Sequence, residues 1–301
     1  MTLEQLRIFV AVAEREHVTR ASVALNLTQS AVSAAVQALE GRFQVKLFHR
    51  VGRNIVLSEA GRVFLDEARA VLARAAAAER ALLDLSGLKR GRLLIAASQT
   101  IAVHCLPHHL ARFRAAWPEI DLIVTIGNTA RVSHAVKEGE AELGFVEDDI
   151  DAPMLAARPV AEDRLALIAP PDHPWSAATA EPDAAALTAA SWVMREPGSG
   201  TRAVLEAALR ARGVAPDALR VVLELPANEA VRVAVAAGAG VSALSEYVIS
   251  EALARGQVRR VPFVTPTRLF QVLWHRERHR GHAATALLDM IPGSVPAAME
   301  A

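Results

Sequence analysis

The 301-residue sequence holds one cysteine, Cys105. That excludes an intrachain disulfide framework and fits a reducing compartment. No apolar run reaches the ~20 residues needed to span a bilayer. The N-terminal MTLEQLRIFVAVAE is an amphipathic helix pattern containing Glu4 and Glu14. It lacks the basic start, apolar core and small-residue cleavage site of a signal peptide. These absences lead to the expectation of a soluble, cytoplasmic protein with no membrane partner. Formal net charge is zero, so the whole-chain balance does not announce a nucleic-acid binder. The charge is nevertheless uneven. Residues 1–90 hold 13 Lys/Arg against 9 Asp/Glu, and residues 91–301 hold 20 against 24. A basic head on an acidic body is a modest sign that the head meets an anionic partner. Hydrophobic residues make up 52% of the chain, ample for the two or three cores its length allows.

The stretch TRASVALNLTQSAVSAAVQALE, Thr19 to Glu40, contains two short helical patterns around a break at Asn26-Leu27-Thr28. Ala21, Ala24 and Leu25 share one face of the first. Val32, Val36 and Leu39 recur at i, i+4 and i+7 in the second. Thr28 suits an N-cap, since its hydroxyl can accept an orphan backbone N–H. The remaining face carries Gln29, Ser30, Ser33 and Gln37, short uncharged hydrogen-bonding groups near a helix N-terminus. A helix-turn-helix presents such groups to base edges in the major groove. An ordinary αα-hairpin fits this stretch equally well.

The flanks separate the two readings. Upstream, Leu3, Leu6, Phe9, Val10, Val12 and Ala13 give a first helix a buried face, with Thr2 as its cap. Downstream, Val45, Leu47 and Phe48 lead into a polar tip, His49 to Asn54, before Ile55, Val56 and Leu57 return. Apolar–tip–apolar with Gly and Asn at the tip predicts a β-hairpin. Such a hairpin after a helix-turn-helix is a wing, and Arg50 and Arg53 are placed to reach phosphates or the minor groove. Each arginine alone reads as a solvated surface charge. Two beside a polar helix favour double-stranded DNA as partner.

The nearly continuous stretch from Leu3 to Gly61, including FVAVAEREHVTRASVALNLTQSAVSAAVQALEGRFQVKLFHR and GRNIVLSEAG, resembles the N-terminal signature of LysR-type transcriptional regulators. Within that resemblance Gln29, Ser30 and Ser33 match recognition-helix positions, and Arg50 and Arg53 match wing positions. Many members carry arginine directly after the serine; this chain has Ala34. An arginine contact to guanine O6 and N7 is therefore missing there, which shifts base readout toward Gln29, Ser30 and Ser33 or toward DNA shape. The DNA-binding domain is expected over 1–58, with its helix-turn-helix at 18–37.

Ser58 can cap a long alanine-rich helix in which Val63-Phe64, Ala68, Val71-Leu72, Ala75, Ala78 and Leu82-Leu83 recur every three to four residues. Alanine is the strongest helix former, and the span is ~40 Å at about 1.5 Å per residue. One apolar stripe on so long a helix calls for a partner. Antiparallel pairing with a second copy answers that, as the family resemblance also implies; a long core helix within a single domain is the plainer alternative. A linker and hinge are expected at 59–90, closing on Ser86-Gly87 and Lys89-Arg90-Gly91. The chain is then a homodimer or homotetramer.

From Arg92 apolar strand patterns alternate with helical ones: RLLIAAS, a helix through His108 to Trp117, LIVTIG, ARVSHAVKEG, AELGFV, RLALIAP, SWVMRE, a helix from Thr201 to Arg212, VVLEL, a helix from Asn228 to Ala237, and GVSALS. This predicts α/β architecture with largely parallel sheets, in two subdomains at this length. The resemblance implies an effector domain of two Rossmann-like halves, similar to periplasmic binding proteins, around a cleft. The body is expected at 91–301, with one subdomain at about 91–161 plus 268–301 and the other at about 162–267.

Three strand-to-helix junctions are polar: Ser98-Gln99-Thr100, then Glu196 through Ser199-Gly200-Thr201-Arg202, and Pro226-Ala227-Asn228-Glu229. Ligands of open α/β sheets bind outside the carboxyl ends of strands, and helix N-termini favour anions. Each hydroxyl alone reads as a plain N-cap. Three such junctions together indicate a cleft for a small anionic effector, contacted by Ser98, Gln99, Thr100, Ser199, Thr201 and Asn228. Glu147 and Glu196 can accept hydrogen bonds from a ligand's donors or line the rim.

GSGT lacks the Lys-Ser/Thr of a phosphate-binding loop, which argues against an NTPase. His104, His108 and His109, and likewise His275, His279 and His282, lack a supporting Cys or carboxylate cluster, so no metal or cofactor is expected. Cys105 reads as a small core residue. The chain is therefore expected to be a DNA-binding regulator controlled by an effector in its body. The alternative is an enzyme or solute-binding protein on the same α/β body. Transport would need a signal peptide, and catalysis a nucleophile–base pair or metal set that the sequence does not offer. RNA polymerase stays open as a further partner. SQTIAVHCLP, REPGSGTR and ELPANEAVRVAVAAGAGVS resemble most the subgroup of carbon-fixation and sulfur-oxyanion-responsive regulators.

Overall fold

The computed structural model describes residues 1–51, 54–85, 91–147, 150 and 152–293. The chain forms two compact units, one over Met1–Gly87, with which Glu138–Glu140 group, and one over the rest. The hinge residues 86–90 and the wing residue Arg53 lie outside the described residues. Among the described residues no helix is long and apolar enough to cross a membrane.

The first unit runs α1 (Leu3–Arg15), α2 (Val18–Leu25), α3 (Gln29–Phe43), β1 (Phe48–Val51), β2 (Asn54–Leu57) and α4 (Glu59–Leu85). Thr2 and Gln5 form a reciprocal capping box at the start of α1. The Thr28 hydroxyl accepts from Ala31 N at 3.2 Å at the start of α3, a cap contributing about 1 kcal/mol. Leu6, Phe9, Ala13, Leu39, Leu47 and Ala68 form one buried cluster, and Ile8, Ala11, Val12, Ala21 and Val32 a second. The Phe9 ring stands 5.5 Å from Phe48 and 4.8 Å from Phe64, centroid to centroid.

Three details depart from the sequence expectation. Ala24 is exposed; Ser22 is buried instead, its hydroxyl donating to Thr19 O at 2.9 Å. That back-bond satisfies the hydroxyl inside the helix. His49 to Val51 belong to a strand rather than a tip, and Arg50 pairs with Ile55 in the antiparallel hairpin. The apolar positions of α4 make two stripes, not one. Phe64, Leu65, Ala68 and Leu72 pack on α1, while Val63 and Leu82 stay 67% and 70% exposed.

The body contains β3 (Gly91–Ser98), α5 (Gln99–His104), α6 (Leu106–Ala116), β4 (Ile120–Gly127), α7 (Thr129–Glu138), β5 (Leu143–Glu147) and β6 (Leu155–Asp163). These are followed by β7 (Leu165–Ala169), α8 (Ala184–Ala189), β8 (Ser191–Arg195), α9 (Gly200–Arg210), β9 (Arg220–Leu225), α10 (Asn228–Ala236), β10 (Ser242–Ser245), α11 (Glu246–Ala254) and β11 (Arg259–Arg260). The chain then returns through β12 (Arg268–His275) and α12 (His282–Met290). The helix read through His108 to Trp117 is α6; the short α5 precedes it and the two meet at Cys105, because Pro107 has no N–H to continue α5 and suits the first turn of α6.

The first lobe's sheet has the order β4-β3-β5-β12-β6. Strand β3 is parallel to β4 and β5, and β12 is antiparallel to β5 and β6. Leu93, Ile95 and Ala97 face one core layer, with α6 and α12. Ala96 faces the other, with Val132 and Val136 of α7. This is the two-residue period of a sheet covered on both faces. In the second lobe β8 and β9 are parallel, and β7 is antiparallel to β10 and β11. A parallel bridge from Trp192 to Val241 joins the two ladders. Both sheets are thus mostly parallel with one reversed strand, and the chain crosses between lobes twice, near 164 and near 266. Strands β6 and β12, which carry these crossings, are absent from the strand pattern read in the sequence.

Candidate DNA-binding face and effector cleft

On the first unit, Thr28, Gln29, Ser30 and Gln37 of the α3 region are exposed, and Ser33 is half-buried. Thr28 is the cap, and its hydroxyl lies 3.0 Å from that of Ser30. Thr19 of α2 donates to Gln29 Oε1 at 3.3 Å, fixing the amide of the first helical residue. Ala34 is exposed and contributes no polar group. Arg50 is exposed on β1.

Glu40, unremarked in the sequence reading, locks this face to the wing. Its side chain, 10% exposed, accepts from Lys46 Nζ at 2.7 Å, Leu47 N at 2.8 Å and Phe48 N at 3.2 Å. Burial opposes its ionisation, but the Lys46 ammonium and the two amides outweigh it and hold the carboxyl below the usual range. Ser58 closes the other side: its hydroxyl donates to Lys46 O at 2.7 Å and accepts from Gly61 N at 2.9 Å.

In the body, the strand-end residues converge from both lobes. Gln99 Nε2 donates to Pro226 O at 2.6 Å, and Gln99 Oε1 accepts from Asn228 N at 2.9 Å. Asn228 Nδ2 donates to Thr100 Oγ1 at 3.0 Å, and its Oδ1 accepts from Arg195 Nη1. Glu196 takes Arg195 in a fork at 2.8 and 2.9 Å and also accepts from Asn128 Nδ2 at 3.1 Å. Its carboxyl sits below the usual range; burial opposes this, but Arg195 and Asn128 prevail. Ser199 is the α9 N-cap, accepting from Arg202 N at 3.4 Å. Thr201 Oγ1 accepts from Arg268 Nη1 at 3.2 Å.

Beneath the cleft, Arg268 is fully buried and donates to Asp163 Oδ2 from Nε and Nη2 at 2.8 and 2.6 Å. Ser245 donates to Asp163 Oδ1 at 2.8 Å. Burial pushes the Asp163 carboxyl up even against the Arg268 guanidinium. Burial likewise pushes the Cys105 thiol up to about 11, with the Asp163 and Glu147 charges adding to it.

Among the described residues, Ser98 Oγ, Thr129 Oγ1 and Glu147 Oε1 are buried without a hydrogen-bond partner. They stand at the ends of three adjacent strands, since Ser98 pairs with Gly127 and Ala97 with Phe145. Gly200 packs against Thr129 and Glu147. A Cβ there would lie 2.8 Å from Thr129 Oγ1 and 3.1 Å from Glu147 Cβ. The eight body residues singled out in the sequence therefore fall into a lobe-bridging set (Gln99, Thr100, Asn228, Glu196, Thr201), a capping residue (Ser199), and two with uncommitted buried oxygens (Ser98, Glu147). Asn128, Thr129, Arg195, Asp163 and Arg268 were missed. Asn128 and Thr129 follow the strand LIVTIG and obey the same strand-end rule. The buried charges carry no such signal, because an isolated Arg or Asp beside a strand reads as surface.

A polar-faced helix-turn-helix with a wing, carried with a two-lobed α/β body whose polar strand ends meet between the lobes, is the division of labour of a bacterial ligand-responsive transcription regulator. The chain belongs to the LysR family of such regulators. Residues 3–62 match the family's bacterial regulatory helix-turn-helix model, and residues 86–294 match the LysR substrate binding domain. The HTH-type transcriptional regulator YeiE of Escherichia coli (strain K12) is 36% identical, the match covering 98% of this chain and 99% of YeiE. The "Probable RuBisCO transcriptional regulator" of Cyanidioschyzon merolae is 35% identical over 86% of each chain. The regulatory domain of Synechocystis PCC6803 CcmR, solved in complex with 2-PG, superposes with a TM-score of 0.60 at 28% identity, covering 67% of this chain and 96% of that one. The family and these relatives are transcriptional regulators, not enzymes.

Proposed function

We propose that residues 1–58 bind double-stranded DNA, that 59–90 pair two copies, and that a small anionic effector in the cleft of 91–301 controls the grip on DNA. Gln29, Ser30, Ser33 and Gln37 would meet base edges, with Thr28 and the wing arginines Arg50 and Arg53 on phosphates or the minor groove. With Ala34 in place of a longer donor, specificity leans on half-site spacing and DNA shape. The exposed stripe of α4 and the exposed apolar residues Ile123, Val124 and Ile126 of β4 and Val221, Val222 and Leu223 of β9 suit a second copy of the chain, since open sheet edges invite pairing.

The observation that carries the effector reading is the convergence of Ser98, Thr129 and the N-terminal turns of α7 and α9 on one polar cleft bridged by side chains of both lobes. Helix N-termini and hydroxyls suit an acid, and the CcmR domain with 2-PG supports a small ligand in this class of body. A ligand acts by binding one closure of the lobes better than the other.

Binding to a promoter-region DNA fragment near its own gene should be salt-dependent, with Arg50→Ala lowering the slope of log K against log salt by about 0.9. Gln29→Ala should weaken specific binding more than non-specific binding. If neither variant changes affinity, the assignment of this face is wrong. Thr201→Ala, titrated calorimetrically with anions such as sulfite, sulfate and sugar phosphates, should lower effector affinity while basal DNA binding persists.

A further inference from the structure

Among the described residues, two carboxylates in and beneath the cleft are each matched by a guanidinium. Asp163 is paired with Arg268 at 2.6 Å, and Glu196 with Arg195 at 2.8 Å. That leaves Glu147. Its Oε2 stands 3.8 Å from Arg268 Nη1, a guanidinium already held by Asp163. Its Oε1 has no hydrogen-bond partner among the described residues, in a residue 3% exposed. A buried carboxylate oxygen accepts and cannot donate, and leaving it unmatched is unfavourable. Beside it, at the same strand ends, Ser98 and Thr129 offer hydroxyls with equally uncommitted oxygens.

A bare oxyanion would suit those hydroxyls and repel Glu147. A ligand with an acid group and an adjacent hydroxyl would match all three. The three oxygens are closed off from solvent and Gly200 packs on Thr129 and Glu147, so the ligand reaches them when the lobes part, and only a small one fits beneath Gly200. We infer that the effector is a small hydroxy acid, its acid group on Ser98 and Thr129 and its hydroxyl donated to Glu147, which thereby determines specificity. This rests on the cleft reading proposed above and narrows it. A site whose buried acceptor needs a donor rejects the analogue that lacks one far more strongly than an apolar pocket rejects a missing methylene.

The test uses the full-length protein and isothermal titration with acids differing by one hydroxyl: lactate against propionate, and malate against succinate, with sulfate as the bare oxyanion. The hydroxy acid should bind at least tenfold tighter than its deoxy partner and than sulfate. Glu147→Ala should abolish the preference, and Glu147→Gln should raise sulfate affinity, with helical content and DNA binding checking that both variants fold. Equal or tighter binding of the deoxy acids or sulfate by the unaltered protein would overturn the inference. So would failure of either hydroxy acid to bind, or a preference that survives Glu147→Ala. Thr129→Val and Ser98→Ala separate the two levels. If they weaken binding but the hydroxyl preference is absent, only the donor requirement falls. If a hydroxy acid binds and neither variant matters, the cleft reading falls with it.

Discussion

Replacing Glu40 with alanine removes the acceptor that holds the recognition helix to the wing. Two of its three donors are backbone amides, and Leu47 N is buried with the carboxylate at 2.8 Å. Hydrogen bonds to a charged acceptor contribute ~1.5–3 kcal/mol each. The Lys46 side chain is 75% exposed, so its ion pair adds little. The weaker 3.2 Å bond to Phe48 keeps the expected loss for Glu40→Ala near 3 kcal/mol, at the lower end of two such bonds. Glu40→Gln keeps one acceptor oxygen and should lose about half of that. The loss should depend on pH. The folded carboxyl binds its proton less readily than the unfolded one, whose pKa is about 4.3. The part of its contribution that depends on charge is therefore complete at neutral pH and is lost as pH falls through the depressed folded value. All four tryptophans, Trp117, Trp175, Trp192 and Trp274, lie in the body, so their fluorescence does not report on this unit. Urea unfolding followed by circular dichroism, with amide exchange at Leu47 and Phe48, does. A gap between wild type and Glu40→Ala that is the same at neutral and acid pH, or smaller than about 0.5 kcal/mol at neutral pH, the range of a plain surface substitution, would refute the argument.

Gly61→Ala places a Cβ 2.1 Å from Leu47 O; it should loosen the wing and cost DNA affinity in a gel-shift titration, with effector binding unchanged. Gly200→Ala should push the lobes apart at Thr129 and Glu147 and lower effector affinity at least tenfold by calorimetry. Arg268→Ala leaves Asp163 buried without its cation and should destabilise the body by about 3–5 kcal/mol in a denaturant melt followed by tryptophan fluorescence. Cys105, half-buried and with its thiol pushed up to about 11, should react slowly with a disulfide reagent at neutral pH in the folded protein and faster after denaturation; equally fast labelling of the folded protein would contradict the raised thiol pKa.

The parts legible in the sequence are those fixed by neighbours in the chain. Thr28 and Ser58 announce their helices because a cap needs only the next three residues, and both bond as expected. The strand-to-helix junctions were legible for the same reason. What escaped depends on residues far apart. Nothing local distinguishes Phe64 from Val63 on α4; only the position of Phe9 decides which is covered. Arg268 and Asp163 are 105 positions apart, and their pairing follows from β12 and β6 being neighbours in the sheet. Strand β12 was itself missed because the chain reaches it through the irregular stretch 261–267 rather than from a helix, which breaks the strand–helix alternation that identified most of the others. Glu40 resembled the polar end of a helix, and its role appears only when β1 turns back on it.

The order of strands in the first lobe also has a consequence for synthesis. Strand β12 lies between β5 and β6, so β6 has no partner in its sheet until the chain has been made past residue 275. The second lobe, from 165 to 260, is complete before that. A nascent chain therefore finishes its inserted lobe first and must keep β5 and β6 apart, with their edges open, for about a hundred residues. Chains released early would expose those edges. The last strand to be made is thus the one that zips the sheet shut.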